Sequence, residues 1–180
     1  MNGGVKIQPS AAKWNILGTN DASFNDGTGL GAGVVTSESL DATIACRAYR
    51  AGAQTIEVGT EKVLLETENF DVGSDFDTTN NRFTAPVTGY YQVNVQIGLT
   101  DMDALGNQAL AYIYVNGAAV SQFRSYSVAA GGDPQAAGSD LVYAVAGQYI
   151  ELYVQNSSSS TESLQTGSTI SYMSIYFVGV

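Results

Sequence analysis

Hydrophobic and polar side chains alternate most strictly over residues 91–97. Tyr91, Val93, Val95 and Ile97 are apolar; Gln92, Asn94 and Gln96 are polar. A period of two places one set on a buried face and the other in solvent, which predicts a strand. Similar runs mark candidate strands at 43–50, 54–58, 62–69, 82–86, 109–115, 119–126, 139–145, 148–155 and 169–179. Turn formers separate them: Gly131-Gly132-Asp133-Pro134, Ala146-Gly147 and the Asn156–Ser160 tract. Asn116-Gly117 follows one apolar run and precedes Ala118-Ala119-Val120, the signature of a type I′ hairpin. No window carries a helical period. Many short strands joined by turns predict an all-β sandwich or barrel.

Two of these strands are apolar on both faces. Leu110, Tyr112 and Tyr114 alternate with Ala111, Ile113 and Val115; Met173, Ile175 and Phe177 alternate with Tyr172, Tyr176 and Val178. In a two-layer sandwich a strand buried on both faces needs a partner beyond the core. The simplest partner is another copy of the chain. Tyr112, Tyr114, Tyr172 and Tyr176 are therefore expected at an interface between copies, with both strands near a common axis.

Residues 1–41 read differently from residues 42–180. They are rich in turn formers, hold no sustained period, and carry isolated apolar anchors at Trp14, Ile16, Leu17 and Phe24. The expectation is an extended attachment segment whose aromatics dock on a neighbour. The run Gly27-x-Gly29-x-Gly31-x-Gly33 lacks a preceding strand and a Gly-Lys-Ser/Thr ending, so it reads as a flexible linker and not as a phosphate loop.

Composition removes several chemistries. The 180 residues contain no His and a single Cys, Cys46. Histidine-activated nucleophiles, imidazole-based zinc sites and internal disulfides are excluded, and Cys46 reads as a small core residue. Seven basic against 17 acidic residues give a net charge of −10. That balance argues against nucleic-acid binding, which needs a cationic stripe. The longest wholly apolar run, Ala109–Val115, is far short of the roughly 20 residues that span a bilayer. Met1-Asn2-Gly3-Gly4-Val5-Lys6 shows no secretory signal pattern. Among 17 carboxylates no spacing singles out a catalytic pair, so the expectation is a non-enzymatic protein.

Asp71, Phe76, Phe83, Gly89 and Tyr91 resemble, in identity and spacing, the aromatic signature of the C1q family, the globular heads related to tumour necrosis factor (TNF). Leu65, Val93 and Val95 stand where that signature has aromatics. Val115-Asn116-Gly117 resembles the family's mid-domain hairpin, and Val145–Leu152 its late strand pair, with Gln148 where Asp is usual. The resemblance covers residues 42–180. It implies a ten-stranded jelly-roll sandwich that assembles as a homotrimer. The phrase Ala12–Gly29 is similar to segments of bacteriophage fibre proteins that precede a receptor-binding head. Together the two resemblances imply a virion-surface fibre or decoration protein. Its head would attach to a host-surface molecule, a glycan or another envelope component, and residues 1–41 would join it to other virion or fibre proteins. A purely structural trimerisation cap and a secreted bacterial C1q-like binding protein are the alternatives.

Candidate sites follow from residue chemistry. Calcium is the one metal class that an oxygen-only ligand set suits, and Asp101, Asp103 and Asp133 are the candidate ligands. Relatives of the resembled family hold calcium near the trimer apex. Asp71, near Asp75 and Asp77, is expected to accept loop backbone N–H groups. Ser125, Tyr126, Asp133 and Asn156 are the candidate ligand-binding residues, because Tyr, Ser and Asn on loops make adaptable polar and ring contacts.

Overall fold

The structure, a computed structural model, describes residues 44–180. The expected attachment segment, with Trp14, Phe24 and the glycine run, lies outside the described residues. These form strands β1 (Ala45–Tyr49), β2 (Thr55–Ile56), β3 (Gly59–Lys62), β4 (Thr67–Val72), β5 (Phe76–Asp77), β6 (Arg82–Thr84), β7 (Gly89–Gly98), β8 (Gln108–Val115), β9 (Ala118–Tyr126), β10 (Gln135–Ala144), β11 (Tyr149–Asn156), β12 (Glu162–Ser163) and β13 (Tyr172–Gly179). They contain no helix.

Ten strands build two five-stranded sheets, ordered β10-β7-β13-β1-β4 and β5-β6-β11-β8-β9; β12 and β2 pair separately. The pairs within both large sheets are antiparallel. The inward residues of β7, Tyr91, Val93, Val95 and Ile97, are all buried, as their alternation predicts. They meet Ala111, Ile113, Ile150, Leu152 and Val154 from the second sheet and Cys46, Ala48, Met173 and Ile175 from their own in one core. Burial raises the Cys46 thiol far above its usual range, with Asp71 adding to the effect, so Cys46 is an inert core group.

The aromatic signature packs as one unit. The Tyr91 ring lies 5.6 Å from Phe83 and 5.2 Å from Phe177, and its hydroxyl donates to the Val87 carbonyl at 2.5 Å. Aromatic pairs in these geometries add about 0.5–1.5 kcal/mol each beyond their buried area. Asp71 accepts the N–H groups of Asp75 (3.2 Å) and Phe76 (2.9 Å), fixing the loop that carries Phe76. A side chain on Gly89 would overlap the Gly179 carbonyl, so β7 starts where the final strand crosses closest. Asn116 (φ 49°) and Gly117 (φ 83°) both adopt the positive φ that a type I′ turn demands.

Some boundaries differ from the pattern. Residues 62–69 do not form one strand. Leu65 N–H bonds Val63 O (3.2 Å) and Glu66 N–H bonds Leu64 O (3.1 Å), which kinks the chain while Val63 and Leu65 stay buried. The Gln54 amide replaces a strand there, donating to Lys62 O at 2.8 Å and accepting from Leu64 N–H at 2.9 Å. In the 54–58 run only Thr55 and Ile56 pair as a strand, with β12. Strand β10 begins four residues before its expected start, because Gln135–Gly138 pair with Val95–Gly98 despite their small side chains.

The two strands that are apolar on both faces lie in different sheets. Tyr112 and Tyr114 look outward from the β5-β6-β11-β8-β9 sheet, and Tyr172 and Tyr176 from the other. The four tyrosines therefore occupy opposite faces of the sandwich and do not form one patch within the chain. Alternation reports which side chains leave the core, but not which sheet they leave.

Candidate functional site

Strands β9 and β10 belong to opposite sheets and are joined by residues 127–134. That loop is tied down from within. Ser127 is buried; its N–H donates to Asn107 O (2.8 Å) and its hydroxyl to Ala129 O (2.5 Å). A second loop, residues 99–107, laces onto it: Met102 N–H bonds Gly132 O (3.1 Å) and Gly131 N–H bonds Met102 O (2.7 Å). Asp101 N–H donates to Asp133 Oδ1 at 2.9 Å. These bonds hold open a recess of about 350 Å³ lined by Ser125, Tyr126, Ser127, Val128, Asp133, Pro134 and Gln135.

Three of the four ligand-binding candidates, Ser125, Tyr126 and Asp133, therefore share one site. Tyr126 is 51% exposed and offers a ring at its rim. Arg124 is adjacent, and the Tyr126 hydroxyl beside it raises the guanidinium above its usual range. Gln135 joins the wall with its amide fixed: Nε2 donates to Gln165 Oε1 (2.8 Å), and Oε1 accepts from Gln96 (3.2 Å). The sequence pattern does not single out Ser127, although it borders Tyr126.

Asn156 belongs elsewhere. It is 1% exposed; its amide donates to Ile56 O (3.2 Å) and Ser160 O (2.8 Å), and its oxygen accepts Ser158 N–H (2.9 Å). It is a structural bracket for the Ser-rich tract and not a surface contact.

The three candidate calcium ligands do not converge within the chain. Asp133 faces the Asp101 backbone, whereas Asp103 turns to Asn107 and to the Ser159 hydroxyl. The Ser159 hydroxyl above all holds the Asp103 carboxyl below its usual range. Among the described residues no three His, Cys, Asp or Glu side chains gather as a metal cage. The recess instead combines carboxylate, hydroxyl, amide and aromatic groups around open space. The Ser127 hydroxyl is spent on the Ala129 carbonyl. This arrangement suits binding.

No protein-family model matches the sequence, and no curated protein matches it. Solved structures do match. The chain is similar to the Eiger TNF structure from S. frugiperda (14% identity, TM-score 0.59, covering 76% of this chain and 93% of that one). It is also similar to the globular domain of zebrafish complement 1qA protein (11% identity, TM-score 0.57, 76% and 98%). Murine APRIL is a third (9% identity, TM-score 0.55, 76% and 99%). The fold is therefore the C1q/TNF-like jelly roll.

Proposed function

We propose that residues 42–180 form a homotrimeric, non-enzymatic binding head. It is carried on a virion fibre or decoration protein and attaches to a host-surface molecule, a glycan first of all. The observation that carries this reading is the outward face of the β10-β7-β13-β1-β4 sheet. Val72, Ala45, Tyr176, Gln92 and Leu141 stand in one row across its five strands. Tyr90 and Tyr143 stand beside that row with ring centres 5.3 Å apart. Tyr176 is 55% exposed and Leu141 49%, and Val72, Phe70 and Val178 are exposed as well. A monomer rarely leaves so many large apolar groups together on one face, and a second copy removes them from water.

The likeness to C1q and TNF domains supports the trimer, and closed threefold symmetry suits the end of a fibre. The similarity of Ala12–Gly29 to fibre segments supports the virion setting. The recess with Ser125, Tyr126 and Asp133 favours a ligand-binding head over a cap that only registers a fibre. The test is the sedimentation mass of the full chain at micromolar concentration, expected at three times 18.8 kDa, followed by adsorption to host cells. A monomer overturns the assembly; a trimer that adsorbs to no cell or glycan leaves the structural cap.

A further inference from the structure

The outward face of the β5-β6-β11-β8-β9 sheet has a chemistry unlike the rest of this acidic chain. Five tyrosines share it: Tyr112 and Tyr114 on β8, Tyr149 and Tyr153 on β11, and Tyr126 on β9. Tyr114 stacks on Tyr153 with ring centres 4.1 Å apart, and Tyr112 meets Tyr114 edge-on at 6.2 Å. The Tyr112 hydroxyl donates to Gln155 Oε1 at 2.6 Å, which fixes both side chains. The Arg82 guanidinium lies 4.9 Å from the Tyr149 ring centre.

Positive charge collects on the same face. Of the five cations among the described residues, Lys62, Arg82 and Arg124 are here. The acidic residues at the outward strand positions are Glu151, which is bonded to Lys62, and Asp77, which pairs with Arg82 across β5 and β6. Arg124 is exposed and makes no ion pair with a described carboxylate. Of the large aliphatic side chains on β8 and β9 that do not face the core, Leu110 is already buried and Val120, at the β9 bulge, is half exposed. Rings and polar groups, more than aliphatic side chains, therefore make up this face. It offers rings, the amides of Gln122 and Gln155, and the exposed Arg124 guanidinium.

We propose that this face binds an acidic polysaccharide. The C–H faces of the sugar rings pack on the tyrosines, the amides meet hydroxyls, and Arg124 takes a sugar carboxylate through paired N–H donors. Tyr126 and Arg124 connect the face to the recess, so one chain of sugars runs along both. This rests on reading the domain as a glycan-binding head.

The test measures binding of the full chain to polygalacturonate, to neutral dextran and to polyglutamate by titration calorimetry. Polygalacturonate is expected to bind, more weakly as sodium chloride is raised, and dextran and polyglutamate not. Arg124→Gln and Tyr153→Ala are each expected to weaken binding at least tenfold with trimer mass unchanged. Arg124 is exposed, so its variant keeps the test valid if Tyr153→Ala fails to fold. Polyglutamate binding as tightly as polygalacturonate overturns the sugar assignment in favour of a polypeptide. Both variants binding as the parent does, while Asp133→Asn abolishes binding, overturns the inference and leaves the head reading standing with its ligand in the recess. If neither polysaccharide binds, the inference fails, and the head reading then rests on trimer mass and cell adsorption alone.

Discussion

The Phe123 ring occupies the space that a side chain on Gly138 would need. Phe123 points inward from β9 and Gly138 inward from β10, so these residues mark where the two sheets close on each other at one edge. Two residues along β10, Asp140 accepts the Ser121 hydroxyl across the same gap. The recess between Tyr126 and Gln135 is the continuation of that closure. Its walls are set by an apolar contact and a hydrogen bond that lie outside it.

Gly138→Ala therefore forces Phe123 out of its position at the core. Overpacking of this kind costs about 1–3 kcal/mol. For a chain of this size each kcal/mol lowers Tm by roughly 2–4 °C. Thermal melts of the variant are expected to fall by several degrees. An unchanged Tm would mean that the two strands separate at no cost, and the closure would not be what positions the recess.

Leu141→Asp and Tyr176→Asp place a carboxylate in the apolar row of the proposed trimer face. Both side chains are about half exposed in the single chain, so its fold does not depend on them. Each variant is expected to sediment as one chain while keeping the β-sheet circular dichroism of the parent. A charge buried without a partner at a contact costs several kcal/mol, enough to dissociate it at micromolar concentration. Persistence of the trimer in both variants would place the contact on another face.

The same residues show what was legible in the sequence. Strict alternation along Tyr91–Ile97 specified both the strand and its buried face, and Asn116-Gly117 specified its turn. The jelly roll followed from the spacing of Asp71, Phe76, Phe83, Gly89 and Tyr91, although Leu65, Val93 and Val95 replace aromatics. Strand β5 was missed because Phe76–Asp77 is too short to show a period. The sheet that carries Tyr112, as against Tyr176, is a property of the chain path, and a period of two does not encode it. Ser125, Tyr126 and Asp133 were named by composition, and the structure sets them side by side where β9 runs into the loop before β10. Asn156 failed by the same rule: its amide is consumed by Ser158, Ser160 and Ile56, and only long-range contact reveals that.

Lys62 and Glu151 form an ion pair beside the tyrosine face, and Glu151 is 5% exposed. Lys62 also donates to Asn80 O at 2.5 Å, anchoring the turn before β6. Lys62→Met leaves Glu151 buried without its cation and is expected to destabilise the chain by about 3–5 kcal/mol. Replacing both, as Lys62→Met with Glu151→Leu, is expected to recover most of that loss, because the stranded charge is gone. Urea unfolding of the parent and the two variants measures this. A single variant as stable as the parent would show that water reaches Glu151 freely.

Glu66 gives the head an acid-sensitive clamp. Its Oε1 accepts the N–H groups of Ala51 (3.0 Å) and Gly52 (2.7 Å), and its Oε2 meets Arg50 at 3.0 Å. Burial pushes its pKa up, but the Gly52 N–H, Arg50 and the Ala51 N–H together outweigh burial and hold it below the usual 4.5. A carboxyl with a lowered folded pKa adds stability above its unfolded value, and that contribution disappears as pH falls through the folded value. Glu66→Gln removes the charge at every pH. The Tm gap between parent and variant is therefore expected to be open at pH 7 and to close as pH drops below about 4.5 towards 3. Asp75 works in the opposite sense: burial, helped by Asp71, raises its pKa, so protonation favours the folded chain at low pH. Asp75 is present in both proteins and cancels in the difference. A gap that stays constant from pH 7 to pH 3 would show that the Glu66 charge contributes nothing to the clamp and that its geometry alone holds the Arg50–Ala53 turn.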